Sequence, residues 1–212
     1  MTIALHRCWP PLFAALALFL AFRAAADDAP AAEPPAGQLL VASEAIGDPR
    51  FFHSVVLLLR HDANGAFGII INHPLGERAL AAILADASGK NDAEKDLDSG
   101  VEGNIGVFFG GPVQPERGFV VHSGEYRRAE SLVVGETLAM TASKEVLRDI
   151  GRKKGPAHYL FALGYAGWGG GQLEGEIARN AWFTAPAEPG LVFDADPATI
   201  WERALARRTR EL

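Results

Sequence analysis

Apolar positions run along this chain in short stretches broken by glycine and proline, with helical spacing in only a few places. Gly37–Ala42 predicts a strand, and Asp48–Pro49 breaks the path after it. Val55–Leu59 is apolar at consecutive positions, as in a strand covered on both faces. Asn64–Gly65 then gives a hairpin signal, because a type I′ turn needs φ > 0 at both central residues. Ala66–Ile71 returns as the partner strand until Asn72–His73–Pro74 ends it. Gly76–Ala87 predicts a helix with Leu80, Ile83 and Leu84 on one side, and the polar Ser88–Asn104 stretch reads as a mobile surface loop. Ile105–Phe109, Gly118–Val121 and Ser131–Met140 predict three more strands. Ser143 caps a helix through Ile150, which Gly151–Gly155 closes. His158–Leu163 reads as a strand that empties into a glycine-rich stretch, and Gln172–Asn180 follows as a helix. Trp182–Thr184 is a last strand, and Asp196 with Pro197 starts a final helix that buries Ile200, Trp201, Ala204 and Leu205. No segment repeats. Many short strands with interspersed helices indicate an α+β fold.

The stretch that draws attention is Gly164–Gly171, which holds five glycines in eight residues, with Tyr165 and Trp168 among them. Two readings stand: a tight strand-to-helix corner plugged by aromatics, or a ligand cradle with free N–H groups near a helix start. Gly110–Gly111–Pro112 after the Ile105–Phe109 strand is a second glycine corner. Two such corners, if they meet, form a cleft, with the Asn72 amide at its edge. Gln172, Glu176 and Asn180 follow i, i+4, i+8 and make one polar stripe. The candidate ligand-binding set is Asn72, Gly110, Gly111, Pro112, Gly164, Tyr165, Gly167, Trp168, Gln172 and Glu176. Glu176 near the first turns repels an anion, which favours a neutral or amine-bearing ligand, or none, over phosphate.

Several chemistries lack their motifs. No Gly-x-Gly-x-x-Gly reads through 164–172, and no Lys-Ser/Thr follows for a P-loop. His122–Ser123 has no Gly-x-Ser-x-Gly elbow around it and no assignable acidic partner. His61 adjoins the hairpin turn, where a structural hydrogen bond is the simpler role. The hairpin pairs no two histidines, so no metal site is expected; no cofactor is expected either, and no catalytic residue is assigned.

The first 26 residues differ in kind. His6 and Arg7 precede an apolar run, Leu12–Phe22, and Ala24–Ala25–Ala26 offers small residues before Asp27, the order of a secretory signal peptide. The expected organisation is a signal peptide over 1–26, a disordered linker rich in Ala, Pro, Asp and Glu over 27–36, and one domain over 37–212. Cleavage would remove Cys8, the only cysteine, and with it disulfide, thiol and cysteine–metal chemistry. Losing Arg7 and Arg23 from 20 basic residues leaves 18 against 26 acidic ones, a net charge of −8. That charge repels phosphate backbones and argues against direct nucleic-acid binding. The expected location is periplasmic or secreted, with no membrane in the mature form; an uncleaved anchor, a mis-chosen start codon and a cytosolic location are the other readings.

Four ordered blocks resemble one family. They are Gly37–Ala42 with Asp48–Phe51 and Ser54–Val55; His61–Gly65 with Gly68–Asn72 and Pro74; Gly110–Val113 with Gly118–Val120 and His122–Ser123; and Gly164–Gly169 with Gln172–Leu173, Glu176 and Asn180–Trp182. Together they resemble the AlgH/YqgE family of bacterial proteins over roughly residues 37–205. The resemblance implies a branched, largely antiparallel sheet with a small closed barrel, flanked by helices. It implies no settled activity, and its members look cytosolic. This chain departs from the family in its leader and in Ser43–Glu44, where Met-Pro is usual. The leading functional expectation is a non-enzymatic accessory protein that binds a small molecule or a protein partner. The alternatives are a small-molecule enzyme using a His/Glu acid–base and a transcriptional regulator without direct DNA contact. Neither ligand, partner nor oligomeric state follows from the sequence.

Overall fold

The computed structural model describes residues 35–88, 98–193 and 196–209. The expected signal peptide, nearly all of the 27–36 linker and much of the 88–104 loop lie outside those residues.

The chain forms β1 (Gln38–Ala42), a 3₁₀ turn (Pro49–Phe51), β2 (Val55–Asp62), β3 (Gly65–Ile70), β4 (Pro74–Ala79) and α1 (Leu80–Ser88). β5 (Asn104–Phe109), β6 (Val113–Ser123), β7 (Leu132–Val134), β8 (Leu138–Thr141) and α2 (Lys144–Gly151) follow. β9 (Tyr159–Gly169), α3 (Gln172–Ala178), β10 (Trp182–Pro186), α4 (Pro189–Val192) and α5 (Pro197–Ala206) complete it. The strands make one sheet in the order β10-β1-β2-β3-β9-β6-β8-β7, from which β5 and then β4 branch off β9. Every pairing among these is antiparallel except β5 with β9. The fold is thus mixed helix and antiparallel sheet, branched as the resemblance implies, with the sheet curled into a half-barrel flanked by helices.

Alternation along β2 explains its unbroken apolar run. Val55, Leu57 and Leu59 enter one core with Leu39, Val41, Ile69, Val121 and, from α5, Ile200 and Ala204. Val56 and Leu58 enter a second core on the other face, with Leu40, Ile70, Trp168, Trp182 and, from α3, Leu173. A third cluster lies under α1 and α2, where Ile83, Leu84, Val146 and Leu147 meet Val107, Val120 and Phe161.

Three expectations about elements change. Residues 76–79 are strand, paired to β5 through Glu77–Gly106 and Arg78–Ile105, and the helix begins only at Leu80. The apolar positions that carried the helical spacing all fall after that point. Ser131–Met140 is two strands of a hairpin, broken at Gly135, whose φ is +62°. The first hairpin turns on Ala63–Asn64, since Asp62 pairs with Gly65. Asp62 Oδ1 accepts from Asn64 N at 2.8 Å, the local bond that Asp supplies at the first position of a turn. Gly65, with φ +134°, is needed where β3 crosses the carbonyl of Trp168, not for a type I′ turn.

Candidate functional site

The glycine-rich stretch is strand, not loop. β9 continues through it, and Ala166, Gly167, Trp168 and Gly169 pair with Gly68, Phe67, Ala66 and Gly65 of β3. The cradle reading therefore fails here: these residues are part of a sheet ladder, and the loop shrinks to Gly170–Gly171. Gly164, at φ +74°, sits where the β6 register jumps from Gly118–Leu163 to Val113–Tyr165. Gly110 and Gly111 lie against Gly164 and Tyr165 with no room for a side chain on either. The two glycine corners do meet, as backbone packed on backbone at the branch of the sheet, and no cleft opens between them. Asn72 is buried beside them. Its Oδ1 accepts from Val55 N at 2.8 Å and its Nδ2 donates to His53 O at 2.9 Å, so its amide ties two chain segments together. Tyr165 faces the first core, against Phe67 and Phe119 with ring centroids 4.9 and 6.0 Å away.

The other half of the candidate set does converge. Pro112, Gly167, Trp168, Gln172 and Glu176 line one cleft of about 650 Å³, together with residues of the Ala45–Phe51 segment and Arg179. Its centre is the Glu176 carboxylate. Oε2 accepts from Trp168 Nε1 at 2.9 Å and from Trp182 Nε1 at 2.8 Å, and Oε1 accepts from Gln172 Nε2 at 3.0 Å. Indole N–H groups only donate, so both tryptophans fix this carboxylate as an acceptor. Both rings are buried, and they meet edge to face at 5.8 Å. Trp168 is thus a core residue that shows only an edge to the cleft. Gln172 in turn accepts from Gly169 N at 3.2 Å, joining the strand end to the helix start.

The facing wall was not anticipated as part of a site. Asp48 caps the 3₁₀ turn, with Oδ1 accepting from Arg50 N at 3.0 Å. The Arg50 guanidinium donates back to both carboxylate oxygens, at 3.0 and 2.6 Å, and these bonds hold the Asp48 carboxyl below its ordinary value. Phe51 stacks over Trp168 at 6.4 Å and meets Trp182 edge-on at 5.6 Å. Asp followed by Pro, the pattern of a cap and first helical residue, was the available signal for this turn. Nothing local marked Arg179, which stands exposed at the cleft and makes no salt bridge among the described residues.

The histidines serve elsewhere. The buried His61 ring places Nε2 2.7 Å from Glu174 Oε1. The Glu174 carboxyl is held low by a backbone N–H of its own and by that imidazole. His122 is enclosed, with Nδ1 3.0 Å from Ser123 O and Nε2 2.9 Å from Thr141 Oγ1. Ser123 donates to Glu125 Oε1 at 2.8 Å, so His122 and Ser123 form no nucleophile–base pair. Among the described residues no three His, Cys, Asp or Glu side chains gather as a metal site would require.

Comparison with known proteins agrees with this architecture. The model of the AlgH-like family, DUF179, matches residues 39–212. A UPF0301 protein of Methylococcus capsulatus is 44% identical over 173 residues, covering 82% of this chain and 88% of its own length. One from Sphingopyxis alaskensis is 42% identical over 170 residues, with 80% and 87% covered. The solution structure of the AlgH protein from Pseudomonas aeruginosa superposes with a TM-score of 0.66 at 40% identity, covering 81% of this chain and 87% of that one.

Proposed function

Because this chain belongs to the AlgH-like family, which has no assigned activity, we propose a role from its own cleft: a non-enzymatic accessory protein that binds a small ligand or a partner's side chain there. The observation that carries this reading is the Glu176 carboxylate, anchored by two buried indoles and a glutamine at the floor of an otherwise open cavity. Such an anchored acceptor is pre-organised to receive an N–H donor. Arg50, already paired to Asp48, lines the facing wall, and Arg179 caps the same helix that carries Glu176. Two cations and two anions line it, so a neutral or zwitterionic group suits it better than a bare anion. Of the acid–base candidates, His61 and His122 are engaged by protein groups away from this cleft, and Glu176 is held as an acceptor by two indoles, which supports binding over catalysis.

The leader supports export. An apolar Leu12–Phe22 run followed by Ala24–Ala25–Ala26 suits removal of residues 1–26 and work in the periplasm or outside the cell. Among the described residues no helix is long and apolar enough to cross a membrane.

Native mass spectrometry on protein purified from its own cells tests both points. We expect a chain beginning at Asp27 and a bound mass that is lost on denaturation. The exposed variant Arg179→Glu should lose that mass while melting like the wild type. A bound mass indifferent to Arg179→Glu would overturn this cleft as the site, and a chain beginning at Met1 would overturn export with cleavage.

A further inference from the structure

A second cavity, of about 330 Å³, opens at the mouth of the curled sheet. Six successive strands contribute to its lining: Arg60 from β2, Phe67 from β3, Tyr165 from β9, Phe119 from β6, Met140 from β8 and Leu132 from β7. The curl thus brings β2 and β7, the ends of that run, to one opening. Mouths of curled and closed sheets recur as small-molecule sites, and this volume lies at the lower end of their range. The floor is aromatic. Phe67, Phe119 and Tyr165 meet with ring centroids 4.9 to 6.0 Å apart, and Phe67 and Tyr165 are only half-buried.

The rim is cationic. Among the described residues Arg60 and Arg117 line the cavity, and no Asp or Glu does. Arg60 lies 3.7 Å from Asp62, a loose contact between two exposed side chains. Arg117 has no carboxylate partner among the described residues. Its guanidinium lies 5.5 Å over the Phe119 ring and 3.5 Å from Gln114 Oε1, and both of those residues line this cavity. The backbone is bent to hold it there. β6 pairs with β9 at Val113–Tyr165 and next at Gly118–Leu163, so residues 114–117 bulge out of the ladder. Gln114 takes φ +48° in that bulge, a left-handed value that residues with side chains resist. Strain of that kind gathers at ligand sites, and here it stands beside a guanidinium held over an aromatic floor.

We propose that this mouth binds an aromatic monocarboxylate, its ring on Phe67 and Tyr165 and its carboxylate on the Arg117 guanidinium. Planar rings pack well on partly uncovered aromatic side chains, and a guanidinium fork matches a carboxylate. The chain's net charge of −6 turns anions away elsewhere, and the two arginines give one a place of opposite sign. The site shares no lining residue with the Glu176 cleft.

Isothermal titration of the full-length protein with cinnamate, and with cinnamyl alcohol as the uncharged control, tests it. Cinnamate should bind saturably and more tightly than the alcohol. Arg117→Gln should weaken cinnamate about tenfold and leave the alcohol unchanged, since a charge-assisted hydrogen bond is worth roughly that factor. Leu132→Trp, at an exposed lining position, should weaken both. Arg117 also borders the cavity between α1 and α2, so Ala87→Phe, exposed there and outside this lining, should change neither. Should Leu132→Trp fold poorly, amide NMR of the wild type with cinnamate serves instead, with shifts expected at Phe67, Phe119 and Tyr165. No saturable cinnamate binding, binding indifferent to a folded Leu132→Trp or lost in Ala87→Phe, or shifts confined to other residues would overturn the site. Equal loss of the two ligands in Arg117→Gln, or loss of neither, would overturn the carboxylate assignment.

Discussion

Trp168 and Trp182, fourteen residues apart on β9 and β10, donate to the same oxygen, Glu176 Oε2, at 2.9 and 2.8 Å. One carboxylate on α3 thus ties together two strands that do not pair with each other.

Glu176→Ala should therefore cost roughly 2–4 kcal/mol, because it strands two buried donors. Denaturant midpoints at unchanged m-value would check this. A loss below about 0.5 kcal/mol, the scale of an ordinary surface substitution, would mean the indoles find other acceptors.

Asn72→Ala separates the two roles considered for that residue. Its amide satisfies Val55 N and His53 O inside the protein, so the variant should lose about 1–3 kcal/mol of stability. Occupancy of the Glu176 cleft, read by native mass spectrometry at a temperature where the variant is folded, should be unchanged.

Gly111→Ala should be among the worst single substitutions in the domain. The residue has φ +148°, and a Cβ would overlap the Tyr165 backbone, which cannot swing aside as a side-chain tip can. We expect a loss above about 4 kcal/mol, visible as insoluble protein or a collapsed melting transition.

His122 supplies a pH dependence of definite sign. Ser123 O only accepts, so Nδ1 carries the proton and Nε2 receives Thr141 Oγ1. Burial pushes the ring below its ordinary value of 6.5. The folded state thus resists a proton that the unfolded chain accepts. Stability is intact above pH 6.5 and falls as pH drops through the lower, folded value. His73, also pushed down by burial, acts in the same direction. NMR titration of the His122 ring should show a midpoint below 6.5, and one above it would refute the burial argument.

Much of the fold was legible because its signals are local. Ser143 and Asp196 cap their helices as expected, accepting from Glu145 N and Ala198 N. The alternating core of β2 was readable as a strand covered on both sides. What escaped was decided by distant partners. Glycine in a strand looks like glycine in a loop until the partner backbone is seen, and Gly164 has its partner, Gly111, more than fifty residues earlier. Residues 76–79 took strand form because β5 lies alongside, a pairing that helical spacing after Leu80 cannot reveal.

The candidate site split for the same reason. Gln172 and Glu176 lie four residues apart on one helix, and local geometry alone put them together. Tyr165 and Trp168, three apart on a strand, point to opposite faces, which a loop reading concealed. The Asp48–Phe51 wall comes from more than a hundred residues away and had no local mark of facing Trp168.

The position of β9 also bears on how the chain comes into being. β3, β5 and β6 all take it as a partner, yet its last residue, Gly169, lies four-fifths of the way along the 212-residue chain. A ribosome releasing the chain in order exposes three strands with an edge unfilled until that late segment emerges, and such non-local pairings form slowly. The domain is therefore assembled as a near-complete polypeptide, and truncation before Gly169 should yield aggregates with unfilled strand edges, not a smaller folded core.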